Sequence, residues 1–244
     1  MISVHLKQGD GRARQGVPVV LAIFSFRYDA HLVPGLLANV DPMVDGWVSL
    51  DDRASEVEFS DEPARRHALL LAARQAGAEW VLAVDPDERF ERGVADAMPA
   101  LVAAEGPIAY SFAVRELYGH DLYRIDGLWG CKSQSRLFRL PAEPAPSPAP
   151  LHSPWHRLVP GAQLRDTGLN LYHLKMITAE RRRARAALYN RLDPGRRWQP
   201  VGYDYLADDK GAMFERIPEG RDYHPPHVED GGLWMPVPGA GEKG

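Results

Sequence analysis

Two carboxylates stand directly after a short apolar segment, because Asp85-Pro86-Asp87 follows Trp80-Val81-Leu82-Ala83-Val84. The apolar segment has the length and continuity of a buried strand. In an extended chain, residues i and i+2 project to the same side, so the two carboxylates are expected to point together. Paired hard oxygen donors suit Mg²⁺ or Mn²⁺, and Mg²⁺ usually keeps waters or substrate phosphate among its ligands. The pattern predicts a metal–diphosphate site, although an Asp-x-Asp alone also occurs in helix-capping turns and solvated loops.

A second pair of acids, Asp51-Asp52, ends the predicted strand Trp47–Leu50. The earlier apolar run from Val19 to Phe24, closing at Ser25, predicts another buried strand. Ligands of parallel α/β sheets bind beyond the carboxyl ends of the strands. If these strands run parallel, the acidic ends at 51–52 and 85–87 share one crevice.

Helices are predicted between these strands. Pro34 to Asn39 has the composition of a short helix with proline in its first turn. Ser60-Asp61-Glu62-Pro63 offers a cap, early acids and an early proline, and Gly77 ends the helix that follows. The alternation of strand and helix predicts an α/β fold with a mostly parallel central sheet flanked by helices.

The rest of the chain is less regular. Further elements are predicted at 93–104 (helix), 108–114 (strand), 117–129 (hairpin or ordered loop), 135–140 (strand), 169–173 (strand) and 178–190 (helix), with a proline-rich surface loop at 141–150. We therefore expect a flexible lead-in over 1–16, a single domain over 17–193 and an irregular, partly disordered tail over 194–244. Within the domain, we expect residues 17–114 to form a nucleotide-sugar half and residues 115–193 an acceptor half.

The stretch from Ala64 to Glu88 resembles the donor-site segment of family-2 glycosyltransferases. A basic helix start, Ala64-Arg65-Arg66-His67, precedes an apolar strand that is opened by Trp80 and ends in Asp-Pro-Asp-Glu. Two later segments are similar to the family's Arg-Leu-Phe-Arg segment and its late histidine strand, namely Ser135-Arg136-Leu137-Phe138-Arg139 and Leu171-Tyr172-His173-Leu174-Lys175. The resemblance covers roughly residues 19–175 and is most specific over 64–88.

The resemblance implies a GT-A fold, which is a Rossmann-like nucleotide-sugar domain, and sugar transfer with inversion at the anomeric carbon. By position, Asp51 and Asp52 match the family's nucleoside-binding acids. Arg65 or Arg66 matches a basic residue near the nucleotide, and Asp85 matches the acid near the ribose and the metal.

The resemblance also implies a site for Mg²⁺ or Mn²⁺. Asp87 matches the main metal ligand, with Asp85 beside it. His173 matches a late histidine that completes the metal site in some members, and a neutral strand imidazole is able to do so. A hydrogen-bonded structural histidine is the alternative at this position.

The sequence departs from the family's pattern at two places. Where the first strand usually runs into an Asn-Glu pair, Phe26-Arg27-Tyr28-Asp29 stands here, and only Asp29 is similar. Where related enzymes often carry a His-Glu pair, this chain has Trp155-His156-Arg157. The nucleobase contacts and the catalytic base are therefore not carried over.

An inverting transfer needs one base to take the proton of the attacking acceptor hydroxyl. The candidates are Asp126, Glu116, Asp121 and His156. Asp126 lies near Trp129, which could stack on a sugar ring, and His156 could act near neutral pH without a large pKa shift. Each of them could equally be an ordinary loop residue.

A basic turn, Arg181, Arg182, Arg183 and Arg185, lies on the predicted helix at 178–190. Such a turn could attract anionic lipid or a lipid-diphosphate acceptor. We favour the simpler expectation of a solvated helix face.

Bulk composition narrows the function classes. The chain has 244 residues, 45% hydrophobic and 25% charged, which suits one globular domain. A net charge of −4 argues against a general nucleic-acid binder.

The single cysteine, Cys131, excludes an internal disulfide and fits a reducing, cytoplasmic setting. Apolar runs near the N-terminus are too short for a signal peptide or a membrane span, so any membrane contact would be peripheral.

The sequence thus predicts an inverting glycosyltransferase that uses a nucleotide-diphosphate sugar and a carbohydrate, lipid-linked or small-molecule acceptor. Two other classes stay open: a nucleotidyl transferase or metal-dependent phosphohydrolase, and a non-catalytic relative that binds a nucleotide sugar. Nucleotide-consuming enzymes often show a glycine-rich phosphate loop near the N-terminus, and none follows Val19–Ser25.

Overall fold

The computed structural model describes residues 1–7, 18–55, 61–146, 153–228 and 232–235. Their strands are β1 (Ile2–Leu6), β2 (Val20–Phe26), β3 (Gly46–Asp51), β4 (Trp80–Ala83), β5 (Glu88–Phe90), β6 (Ile108–Glu116), β7 (Leu122–Arg124), β8 (Ser133–Arg139), β9 (Gln163–His173) and β10 (Phe214–Arg216). The α-helices are α1 (Val33–Val40), α2 (Glu62–Gln75), α3 (Gly93–Val102) and α4 (Ala179–Leu192). The protein is therefore of mixed α/β class, as predicted.

The central sheet has eight strands in the order β1-β3-β2-β4-β8-β6-β9-β5. Both β3 and β4 run parallel to β2, one on each side of it. The chain thus reverses its direction of travel across the sheet at β2, and such a switch point leaves a crevice at the carboxyl ends of the strands.

The prediction of a mostly parallel sheet is wrong. Strand β8 lies between β4 and β6 and runs antiparallel to both, and β1 and β5 are also antiparallel to their neighbours. The sheet is therefore mixed. An apolar run such as Leu137-Phe138 is buried in either direction, so local pattern does not report strand orientation.

Two strands of the sheet were not predicted. Residues 2–6, expected to be a flexible lead-in, form the exposed edge strand β1, which pairs with β3. Residues 8–16 of that lead-in lie outside the described residues. Strand β5 is buried although two of its three residues, Glu88 and Arg89, are charged. Hydrophobic periodicity misses both strands, because β1 is exposed and β5 is buried although it is charged. Glu88 pairs with Arg136, and Arg89 donates to the carbonyls of Pro86 and Leu32.

Helices cover both faces of the sheet. On one face, α1 and α3 bury Leu36, Val40 and Met98 in a cluster that includes Trp80 from β4. On the other face, α2 buries Leu69, Leu70 and Ala73 against Ile23 and Val81. Strands β2 and β4 are therefore covered on both sides, which explains why their sequences are continuously apolar.

Helix α2 begins and ends as the sequence predicts. The Asp61 carboxylate accepts a hydrogen bond from the Ala64 amide at 3.1 Å and caps the first turn. Pro63 lies in that turn, where its missing amide costs no hydrogen bond. Gly77 has a φ of 88°, the left-handed conformation that commonly ends a helix.

The tail expected at 194–244 is mostly irregular in its described part, but it is packed. Strand β10 pairs with β7 in a small second sheet. Tyr203, Leu206 and Tyr223 are buried, and Trp234 is only 2% exposed. Of the proline-rich loop, residues 147–150 lie outside the described part.

The helices of the described residues include none that is both long and apolar enough to cross a membrane.

Candidate active site

A cavity of about 550 Å³ opens at the carboxyl edge of β2, β3 and β4. The predicted residues that line it are Asp52, Arg65, Arg66, Asp85, Asp87, His156 and His173. The acidic ends of β3 and β4 therefore face one crevice, as expected for strands parallel to β2. The cavity wall formed by the described residues includes none of Asp51, Glu116, Asp121 and Asp126.

The side of the cavity next to α2 carries paired charges. Arg65 Nη1 lies 3.6 Å from Asp52 Oδ2 and donates to Ser25 Oγ at 3.3 Å. Arg66 Nη2 lies 2.7 Å from Glu62 Oε1, and its guanidinium stacks on Trp155 at 4.4 Å from the ring centre. The basic start of α2 thus faces the acidic end of β3.

Asp51, predicted with Asp52 as a nucleoside-binding acid, points elsewhere. Its carboxylate accepts hydrogen bonds from Arg53 Nε at 2.9 Å and Arg53 Nη2 at 2.7 Å. These bonds lower the pKa of Asp51 to about 2. Adjacent residues of a strand project to opposite faces, which explains why only one acid of the pair reaches the cavity.

Asp85 is held by an arginine from β8. Leu137 pairs with Leu82 in the sheet, so Arg136 lies beside the end of β4. Arg136 Nη2 lies 3.0 Å from Asp85 Oδ2 and also donates to Glu88 Oε1. Glu88 Oε2 in turn accepts the Asp85 amide at 2.9 Å. The Asp85 side chain is 58% exposed, whereas Arg136 is buried.

Asp87 is only 1% exposed and lies among cations from the end of β9. Its Oδ2 is 3.3 Å from His173 Nε2 and 3.3 Å from Lys175 Nζ. Oδ2 accepts no hydrogen bond within the described residues. Burial alone would raise the pKa of Asp87, but Lys175 and His173 outweigh burial and hold this pKa well below its ordinary value. Asp87 is therefore ionised and already neutralised by protein groups.

The register between β6 and β9 places Glu116 beside His173. These two residues are direct partners in the parallel pairing of β6 and β9. Glu116 Oε2 lies 2.8 Å from His173 Nδ1, and Lys132 donates to Glu116 Oε1 at 2.8 Å. Burial alone would lower the pKa of His173, but Glu116 and Asp87 outweigh burial and raise it to about 9. Glu116, predicted as a base, thus orients His173 and does not reach the cavity.

The predicted metal ligands are only partly brought together. Asp87 and His173 are in contact, but Asp85 is turned towards Arg136. No cluster of three or more histidine, cysteine, aspartate or glutamate side chains suited to a metal ion occurs in the described part of the chain. Because Lys175 and His173 already surround the open oxygen of Asp87, these residues do not fit the predicted metal site.

Asp126, the first candidate base, is a structural ion. Arg124 donates to both of its oxygens, at 2.8 Å and 2.9 Å, and the Met213 amide donates to Oδ1 at 2.9 Å. The Arg124 hydrogen bonds lower its pKa to about 2. Asp121 pairs with Arg216 on the surface. Both acids hold β10 and its neighbouring loops against β7, and sequence spacing could not reveal these distant partners.

His156 does line the cavity. Ser135 Oγ accepts a hydrogen bond from the His156 amide at 3.0 Å and lies 3.1 Å from its Nδ1. Burial and the nearby Arg157 lower the pKa of His156, so its ring is neutral at pH 7. A neutral ring can accept a proton.

Asp29 is a cavity residue that the sequence marked only by its similarity to the family's Asn-Glu position. Burial, and then the negative charge of Asp87, raise its pKa to about 6. A carboxylate of this kind is ionised at pH 7 but remains able to take up a proton.

The basic turn of α4 is not a solvated face, contrary to expectation. Arg181 is buried and stacks on Trp234 at 3.6 Å from the ring centre. Arg182 is buried and donates to Asp209 at 2.8 Å. Arg185 lines the cavity, and Arg183 alone of the four is exposed. The sequence could not separate these residues because all four are arginines, and their type alone does not show which of them pack against other parts of the chain.

Compared with known proteins, the chain matches no protein-family profile, and no curated protein matches it at a significant level.

Proposed function

We propose that this protein is an inverting glycosyltransferase with a GT-A fold, which moves a sugar from a nucleotide-diphosphate sugar to a hydroxyl acceptor. The observation that carries the proposal is the cavity at the switch point of the sheet, where Asp52 and Arg65 lie on one side and Asp87 on the other. Nucleotides bind at such switch points in open α/β sheets. The family-2 resemblance of residues 64–88 supports the same assignment.

Each side of the cavity suits a different part of the donor. Asp52, held by Arg65, can accept hydrogen bonds from a nucleoside. Arg66 and Trp155 present a guanidinium on an aromatic face, which suits a flat or anionic group. The cations around Asp87 suit a diphosphate, whose negative charge grows as the sugar leaves.

Two residues are proposed as the catalytic base, His156 and Asp29. Both line the cavity, and His156 is neutral and Asp29 ionised at pH 7, so each can accept the acceptor's proton. The pH dependence of the rate separates them. With Asp29 as the base, activity falls as pH drops through about 6, and Asp29→Asn abolishes the reaction while His156→Gln does not. The converse pattern of variants assigns His156.

The test of the proposed function is a thermal-shift panel of nucleoside diphosphates, followed by product analysis with nucleotide sugars. Ligands that bind the native state raise its melting temperature. Asp52→Asn should lose most of the shift, because Asp52 lines the cavity. The matched control is Asp51→Asn, which changes the adjacent acid outside the cavity and should keep the shift.

Equal shifts in the two variants would contradict this placement of the donor. Products also discriminate between classes, since a nucleotidyl transferase or phosphohydrolase consumes a triphosphate or phosphomonoester. Binding of nucleoside diphosphates without sugar transfer to any acceptor class would instead favour a non-catalytic relative.

A further inference from the structure

The carboxylate expected to bind a metal ion is already neutralised by fixed charge. Lys175 Nζ lies 3.3 Å from Asp87 Oδ2, and Lys175 itself lines the cavity. A divalent cation on Asp87 would have to displace this ammonium or lie beside it, and like charges at such distances repel strongly.

A second cation of the cavity has unused donors. Arg185 Nε and Nη1 are buried and have no hydrogen-bond partner among the described residues. Arg182 on the same helix also leaves its Nε without a partner, but it uses both terminal nitrogens, on Met176 O at 2.9 Å and on Asp209 Oδ2 at 2.8 Å. Buried donors without a partner are rare and costly, so those of Arg185 indicate a ligand that accepts them.

Both cations line the cavity. Burial alone would lower the pKa of Arg185, but Tyr189, Glu116 and Asp87 outweigh burial and raise it. Lys175 contacts Asp87 directly, and Arg185 keeps its charge at all physiological pH values. An ammonium and a guanidinium that line one cavity suit the oxygens of a phosphate group.

We propose that Lys175 and Arg185 bind the diphosphate of the ligand directly, so that binding does not need a divalent metal ion. That the diphosphate belongs to a nucleotide sugar rests on the proposed function, whereas the anion site itself rests on the geometry of the cavity. The inference departs from the Mg²⁺ or Mn²⁺ requirement predicted from the sequence. Its physical basis is that fixed protein cations supply the positive charge.

The test is isothermal titration of the full chain with inorganic pyrophosphate, UDP and GDP, in EDTA and in Mn²⁺. We expect binding in EDTA, with an affinity that Mn²⁺ changes by less than about threefold. Arg185→Gln should weaken binding in EDTA by about tenfold or more, because charge-assisted hydrogen bonds are lost. Arg183→Gln, on the exposed face of the same helix, is the matched control and should bind as the wild type does. Arg185→Lys should restore part of the affinity.

Two results would overturn the inference: binding that appears only with Mn²⁺ or Mg²⁺, or an Arg185→Gln variant that binds in EDTA as well as Arg183→Gln does. The first comparison uses the wild type alone and does not depend on a variant folding. If pyrophosphate binds through Arg185 but nucleoside diphosphates bind no better and no sugar is transferred, the anion site stands and the proposed function fails. If nucleoside diphosphates bind only with metal and sugar is transferred, the proposed function stands and this inference fails.

Discussion

At the scale of residues, the site consists of charged side chains, most of them buried, and each is in contact with a side chain of opposite charge. Glu116, His173, Asp87 and Lys175 form one chain of such contacts, and Arg136 joins Asp85 to Glu88 in another. Removing one member of a buried pair leaves an uncompensated charge, so the effect on stability is large. Because the pKa values of these groups differ between the folded and the unfolded chain, the free energy of unfolding depends on pH.

The first residue-scale prediction concerns His173. Its pKa is about 9 in the folded protein, above the ordinary value of about 6.5, so the protonated form stabilises the fold. This contribution is complete below pH of about 6.5 and is lost as pH rises towards 9. We expect the free energy of unfolding to fall by about 3 kcal/mol over that range. Urea denaturation at a series of pH values measures this loss. His173→Gln should flatten the curve, and an unchanged slope in that variant would contradict the assignment.

The second residue-scale prediction concerns Arg136. Arg136→Met leaves Glu88 buried without its cation, and we expect a loss of about 3 kcal/mol in the free energy of unfolding. Arg53→Met is the control, because the Arg53–Asp51 pair lies on the surface and such pairs contribute less than about 1 kcal/mol. Urea denaturation of both variants provides the comparison. Equal losses would show that the Arg136 pair is not effectively buried.

At the scale of elements, several cavity residues are placed by the start or end of a helix or strand. Arg65 and Arg66 lie in the first turns of α2, Asp52 follows β3, and Lys175 follows β9. Caps and strand register therefore determine the site's geometry.

The element-scale prediction concerns the Asp61 cap. Asp61→Ala removes the acceptor for the Ala64 amide, and we expect a loss of about 1 kcal/mol in stability. Because the first turns of α2 carry Arg65 and Arg66, ligand binding should weaken as well. Asp61→Asn keeps a capping oxygen and should lose only a few tenths of a kcal/mol, which thermal and urea denaturation can resolve. If both variants lose the same amount, the cap is not what fixes the start of this helix.

The sequence pattern predicted strands β2 and β4, which are buried on both faces, and helix α2, which has clear capping residues. Burial on both faces requires a continuous apolar run and capping requires particular residue types, so both can be recognised in a sequence. Of the predicted site residues, seven line the cavity, namely Asp52, Asp85, Asp87, Arg65, Arg66, His156 and His173, and the first five follow β3 or β4 or lie on α2. The sequence pattern did not predict that Lys175 and Arg185 line the cavity, because their positions depend on a strand register and a helix rotation that local pattern does not report. Asp126 and Glu116 were misjudged for the same reason, since their partners are set by distant pairing.

At the scale of the whole molecule, distant segments close around the cavity. Trp234 and Met235 line it from the far end of the chain. Trp234 packs between Arg181 of α4 and His31, whose ring centre is 5.6 Å away. The described part of the tail is thus built into the folded unit.

The whole-molecule prediction follows from this closure. Trp234→Ala removes a buried indole that contacts both halves, and we expect a loss of about 3–5 kcal/mol in the free energy of unfolding. Trp198→Ala is the matched control, because Trp198 is 38% exposed and its loss should cost less than about 1 kcal/mol. Denaturation followed by circular dichroism measures both. Similar stabilities for the two variants would mean that the tail docks only weakly.

Strand order in the central sheet also bears on how the chain is made. Among the described strands, β4 pairs with β2 and β8, and the partners of β6 are β8 and β9. Strands β8 and β9 are synthesised after β4 and β6. A ribosome that has released the chain only as far as Glu116 therefore presents two apolar strands with unpaired edges. Such edges recruit other chains, so the growing polypeptide is most prone to aggregation in the interval before β8 emerges. Cells that express this protein at high levels should depend on chaperones during that interval.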